Sequence, residues 1–276
     1  MKALEMVFGS TTYAVTAVLG AFMAGLALGS WLLGRCAEQT RDYLRLYGWI
    51  ELGIALTGLA SLAGIGWVRW VYLRSYPGLA DYPALLLGFR FVTSLLVLLL
   101  PTTLMGGTYP VVVKYLTRRK EELSFHASRL YWLNTAGAVS GACLAGFVLL
   151  WHLGLIRTVI SAAGLNLTVA GIVLLISVRL KGRRMTASVE SAAIGQQQAF
   201  PGGIMILAAS GVSGLSAMMF EIGWTRILSI FLSSTTYAFT LMLATFLTGI
   251  TLGSYLFERW HRRWHLNIKL LGYFLI

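Results

Sequence analysis

Polar residues along this chain fall in short clusters, and between them run apolar stretches far longer than a soluble core requires. Seven segments reach membrane length, at 10–34, 44–72, 84–115, 129–152, 155–179, 203–230 and 234–258, and a piece of an eighth begins near Ile268. About 20 residues cross the hydrocarbon as a helix, so the longer segments must tilt, kink or protrude. Barrel strands would show about ten residues of strict alternation, and no segment does. The pattern predicts an all-α integral membrane protein. In the third segment, Pro101, Gly106-Gly107 and Pro110 predict a bent or broken C-terminal third, because proline removes a helix hydrogen bond and crowds the preceding turn.

The polar clusters set an orientation. One set of links carries Arg35, Arg41 and Arg45; Lys114, Arg118, Arg119, Lys120 and Arg129; Arg179, Lys181, Arg183 and Arg184; and Arg259, Arg262 and Arg263. The opposite set has only Arg69, Arg74 and Arg157, so the first set is expected on the cytoplasmic side. Residues 182–201 are small, polar and aperiodic, and read as a flexible cytoplasmic linker between a first bundle, 1–181, and the start of a second, 202–276.

The two bundles share a sentence. Residues 10–35, STTYAVTAVLGAFMAGLALGSWLLGR, align without a gap to 234–259, STTYAFTLMLATFLTGITLGSYLFER, with 14 of 26 positions identical. Both copies end in basic links, so they form a parallel repeat about an axis along the membrane normal, the relation between the halves of major-facilitator transporters. Against this repeat, the helix at 203–230 has no counterpart before Met1, and the eighth helix is too short to cross. The repeat leads one to expect a chain incomplete at both ends, holding helices two to eight of a twelve-helix plan.

Composition sharpens the class. Of 276 residues, 57% are apolar and 12% charged, about half the charged share of a soluble domain. The net charge of +12 sits in short links between spans, which argues for loops and against nucleic-acid binding. Cys36 and Cys143 have neither metal nor disulfide spacing. His261 and His265 are i, i+4 without a third ligand, in a basic stretch suited to lipid headgroups. Neither a metal nor a cofactor is expected.

Three blocks, PTTLMGGTYPVVVKYL (101–116), LYWLNTAGAVSGACLAGFVLLWHLGL (130–155) and SGLSAMMFEIGWTRIL (213–228), join the repeated helices in a combination. Together they resemble the fused major-facilitator/spermidine-synthase proteins of bacteria. The resemblance implies a major-facilitator-like bundle in the bacterial inner membrane, with the lipid bilayer around it. It also implies a partner, an aminopropyltransferase-like domain or further helices of the same protein, and a polyamine as possible cargo. The sequence itself contains no Gly-rich nucleotide fingerprint and no soluble α/β stretch, so no catalytic domain lies in this chain. Gly34-Arg35 follows Trp31-Leu32-Leu33, whereas classical major facilitators have an acid before that pair.

Ionisable residues at membrane depth cost on the order of 3 kcal/mol on insertion scales, so each needs a reason. Glu51, Arg90, Glu221 and Arg226 qualify. Glu221 and Arg90 fall at similar depth and could form a structural ion pair. Alternatively, Glu51 and Glu221 bind a cation or proton, with Trp49, Trp224, Tyr13 and Tyr237 offering cation–π faces for an alkylammonium such as a polyamine. Arg226 and Trp224 could equally be interfacial anchors. Asn134, beside Gly137 and Gly141, could bond a ligand or a neighbouring helix, with the Gly-x-x-x-Gly spacing favouring close packing. The same packing role is expected of Gly25/Gly29 and Gly249/Gly253, and helix capping of the Ser-Thr-Thr-Tyr motifs. The expected function is a transporter-like module handling a polyamine or other small organic cation; the alternative is a non-transporting membrane anchor or subunit.

Overall fold

A computed structural model describes residues 12–40, 42–79, 82–116, 123–181, 203–232 and 235–261. The linker at 182–201, the partial eighth helix, His265 and the caps at Ser10 and Ser234 lie outside the described residues. So do the side chains of Tyr13, Arg90 and His261, although their backbones are helical.

Every regular element among the described residues is a helix: α1 (Thr12–Gln39), α2 (Tyr43–Leu79), α3 (Pro83–Leu116), α4 (Leu123–Cys143), α5 (Leu150–His152), α6 (Gly154–Lys181), α7 (Gly203–Leu232) and α8 (Thr235–His261). A π-helical turn, Leu144–Leu149, joins α4 to α5, so these form one rod. That rod turns into α6 at Leu153-Gly154, where Gly154 takes a φ of 71°, a conformation open to glycine without a Cβ penalty. Counting the rod once, seven helices among the described residues are long and apolar enough to cross a bilayer. The protein is a multi-pass, all-α integral membrane protein. The helices cover the expected spans and extend several of them by up to a few turns.

Helices span a membrane because they satisfy their own backbone groups; what holds them together is close packing. The buried apolar positions are correspondingly small, among them Ala17, Ala21, Ala37, Ala55, Ala163, Ala170, Ala238 and Ala244. Large side chains such as Trp151, Val178, Ile230 and Phe231 face outward, where acyl chains replace water.

The tightest seam joins α1 to α3. A Cβ at Gly25 would overlap the Thr102 hydroxyl, one at Gly29 the Thr103 backbone, and one at Gly106 the Leu26 backbone. This is the first Gly-x-x-x-Gly motif acting as expected. It also bears on the prolines: α3 is an unbroken α-helix through Pro101 and Pro110, not the broken element the sequence suggested. Breaking it would strand further backbone groups in hydrocarbon, and the α1 contact grips residues 102–107 on both sides.

Beyond this seam, α2 packs on α3 and α6, with Gly48 against Leu174 and Gly53 against Leu104. Ile50, Ile54, Ala37 and Val111 form one cluster, and Val68 with Tyr72 another. On the other side, α8 packs on both α4 and α7. Gly146, in the π-helical turn, meets Thr240, and Phe147 stacks on Tyr237 at 6.1 Å.

The second Gly-x-x-x-Gly motif departs from expectation. A Cβ at Gly249 or Gly253 meets nothing within 4 Å, and neither does one at Gly137 or Gly141. The α4–α8 contact instead uses Gly146, because the π-turn rotates that glycine toward Thr240.

Candidate functional site

Two acids lie inside apolar spans, and their surroundings differ. Glu51 is on the second to third turn of α2, about 12 Å from its start at 1.5 Å per residue. It is 8% exposed, and the Tyr47 phenol one turn earlier on the same helix face interacts with its carboxylate. The i, i+4 spacing brings the pair together, because these positions stack on one helix face.

Glu221 lies within the apolar helix α7, about 16 Å before its C-terminal end at 1.5 Å per residue, and is 2% exposed. Neither of its carboxylate oxygens has a hydrogen-bond partner among the described residues. Thr225, one turn on and equally buried, points its hydroxyl at the Glu221 backbone carbonyl, 2.8 Å away. Among the described side chains of α7 the fully buried ones are thus polar, while Met219, Phe220, Trp224 and Ile227 are exposed. A membrane helix with its acid turned inward keeps the costly group out of the hydrocarbon.

The structure does not gather the remaining candidates around these acids. Trp224 is 53% exposed and packs on Phe220 at 6.3 Å, on the outward face of α7. Trp49 is likewise exposed. Tyr237 is half-buried with one ring face covered by Phe147, at an interplanar angle of 6°. Asn134 is exposed on α4. Of Arg90, the structure describes only the backbone position on α3. Glu51 and Glu221 themselves lie in different packing groups, since α2 rests on α3 and α6, and α7 on α8 and, more lightly, on α1.

A cleft of about 340 Å³ opens elsewhere, between the C-terminal parts of α3 and α8 and the start of α4. Tyr109, Ala127, Ser128, Tyr131, Gly253 and Ser254 line it. The Tyr109 hydroxyl donates to the Ala127 carbonyl at 2.9 Å, and its ring meets Tyr131 edge-on at 6.0 Å. Ser128 donates to the Ser254 carbonyl at 3.3 Å. At the same end, Lys114 donates to the Gly34 carbonyl at 2.9 Å and pairs with Glu38 at 3.3 Å, closing α3 onto α1. Reading the sequence for charges passed over this tyrosine seam; its only sequence signal is a pair of tyrosines near consecutive helix ends. No group of metal-ligating side chains occurs among the described residues.

No protein-family model matches the chain, and no solved structure does. A stretch of 77 residues, 28% of the chain, is 35% identical to a protein of Enterobacter sp. (strain 638) described as a probable 4-amino-4-deoxy-L-arabinose-phosphoundecaprenol flippase subunit, ArnE. The match covers 66% of that protein, just under two thirds of its length. The comparisons thus bring forward a membrane flippase subunit and not a protein of the spermidine-synthase type.

Proposed function

We propose that this chain is the membrane-embedded part of a transporter for a substrate bearing an ammonium group, in a bacterial inner membrane with its basic loops on the cytoplasmic side. The observation that carries the reading is the pair of carboxylates, Glu51 and Glu221, buried within apolar transmembrane helices. Acids at this depth are costly and mark ion or substrate pathways. The likeness to a flippase subunit supports transport. That protein's named cargo is an amino sugar on a lipid phosphate, so it too would carry an amine. A polyamine remains the soluble candidate and a lipid-linked amine the amphiphilic one.

Proteoliposomes holding the full chain test both. Uptake of labelled spermidine, or inward movement of a lipid-linked amine, should exceed that in empty vesicles and should fail for an uncharged analogue. Equal movement of the uncharged analogue would rule out recognition of the ammonium.

A second reading is favoured by one observation: Glu51 and Glu221 belong to helices that do not pack on each other. On that reading the chain is a non-transporting membrane subunit, anchoring or completing a partner such as an aminopropyltransferase-type enzyme. It predicts no movement of either amine by the chain alone.

A further inference from the structure

The two buried acids have different provisions for charge. Glu51 has the Tyr47 phenol beside it, one turn earlier on the same helix face, and stands about 12 Å from the start of α2. Glu221 has no donor to either oxygen among the described residues, stands about 16 Å from the C-terminal end of α7 and is 2% exposed. An ionised carboxylate left without partners in a low-dielectric interior is penalised far more than a neutral one. The neutral acid still leaves polar atoms unpaired, but at the much smaller cost of a polar group without charge.

We propose that Glu221 is a proton-binding site: its carboxyl carries a proton at neutral pH in this conformation and releases it only when water or a cation reaches the α7–α8 seam. The ligand assigned to this site is the proton itself. On ionisation the O–H bond breaks, the proton goes to water, and the carboxylate keeps the electron pair. The assignment deepens the transport reading by giving the carrier a place to bind and release a proton, but the protonation state stands independently of any transport.

Among the described residues the surroundings contain no charge that competes. On α7, Arg226 is exposed and lies more than a turn away on another face. On α8, Tyr237 is stacked on Phe147, Tyr255 meets Trp132 edge-on at 5.6 Å, and Arg259 is exposed near the helix end. On α1, Arg35 lies over Trp31 at 4.3 Å, and Glu38 pairs with Lys114, both near its C-terminus; Cys36 is exposed beside them. The side chains of Tyr13 on α1 and of Glu258 and His261 on α8 lie outside the described residues, at the ends of their helices. Arg90 is on α3, a helix that is not a main neighbour of α7.

The test is infrared spectroscopy of the full chain in lipid nanodiscs at neutral pH, read in the stretch of a protonated carboxyl. The wild-type protein should show this band, with the expected downshift in D₂O and a decline as pH is raised. The band should be lost in Glu221→Gln and kept in Glu51→Gln. Glutamine is neutral and nearly isosteric with the protonated acid, and an unchanged size-exclusion profile certifies the fold. Absence of the band in the wild type, as an ion pair with Arg90 would produce, overturns the proposal; so does its loss in Glu51→Gln alone. If the band behaves as stated while neither amine moves in proteoliposomes, the proton site stands and the transport reading falls.

Discussion

Thr225 donates its hydroxyl to the backbone carbonyl of Glu221, 2.8 Å away, and the carboxylate of the same residue has no donor among the described residues. The nearest polar side chain on the buried face of α7 is therefore satisfied by its own helix and gives the acid no help. Hydroxyl-to-carbonyl bonds of this kind are worth little, since the carbonyl already accepts a helix hydrogen bond. Thr225→Val should change unfolding stability by less than about 1 kcal/mol. Thermal unfolding in detergent checks this, and a larger loss would mean that the hydroxyl also serves the carboxyl.

The repeated helices should answer the same mutation differently. Gly29 and Gly253 are equivalent in the repeat, yet a Cβ at Gly29 would overlap the Thr103 backbone, whereas one at Gly253 meets open space. Gly29→Ala should destabilise by about 1–3 kcal/mol, as overpacking does. Gly253→Ala should be neutral, or stabilising by up to about 1 kcal/mol through helix propensity. Unfolding of the two variants side by side measures the difference; equal losses would contradict the packing.

At the basic end, the ion pair and the carbonyl bond of Lys114 can be separated. Glu38 is 61% exposed, so its pairing with Lys114 is screened and worth at most about 1 kcal/mol. The Gly34 carbonyl at 2.9 Å is the better-placed partner. Glu38→Gln should leave stability nearly unchanged, while Lys114→Met should cost about 0.5–1.5 kcal/mol. The reverse ranking in unfolding experiments would put the weight on the ion pair.

Tyr109 gives the corresponding test of the α3–α4 seam. Tyr109→Phe removes the bond to the Ala127 carbonyl but keeps the edge-on contact with Tyr131, so a loss of about 1 kcal/mol is expected. Tyr109→Ala removes both and should cost more, by about 0.5–1.5 kcal/mol for the ring pair alone. Identical stabilities for the two variants would show that the ring contributes nothing.

Hydropathy made the spans legible because a helix in hydrocarbon needs nothing but length and apolar side chains to form. It could not give the rotation of each helix. In α7 apolar residues surround the whole axis, so only Glu221 and Thr225, at i and i+4, mark the inward face, and Trp224 turned out to face outward. The π-turn at Leu144–Leu149 had no sequence signal, and it is what brings Gly146 rather than Gly137 or Gly141 to α8. The repeat was visible at the level of residues but not of contacts, since α1 has α3 at its glycines and α8 has open space there. Glu51 and Glu221 were legible as costly residues; what differs between them is Tyr47, one turn before Glu51 on the same helix face.

On the proposed reading, the buried acids Glu51 and Glu221 serve an ammonium-bearing substrate. Amine uptake into proteoliposomes by the wild-type chain, Glu221→Gln and Glu51→Gln tests it most directly. Uptake above empty vesicles is expected for the wild type, with a loss of at least about tenfold, or about 1.4 kcal/mol, in each variant. Uptake that persists unchanged in both correctly folded variants would contradict it.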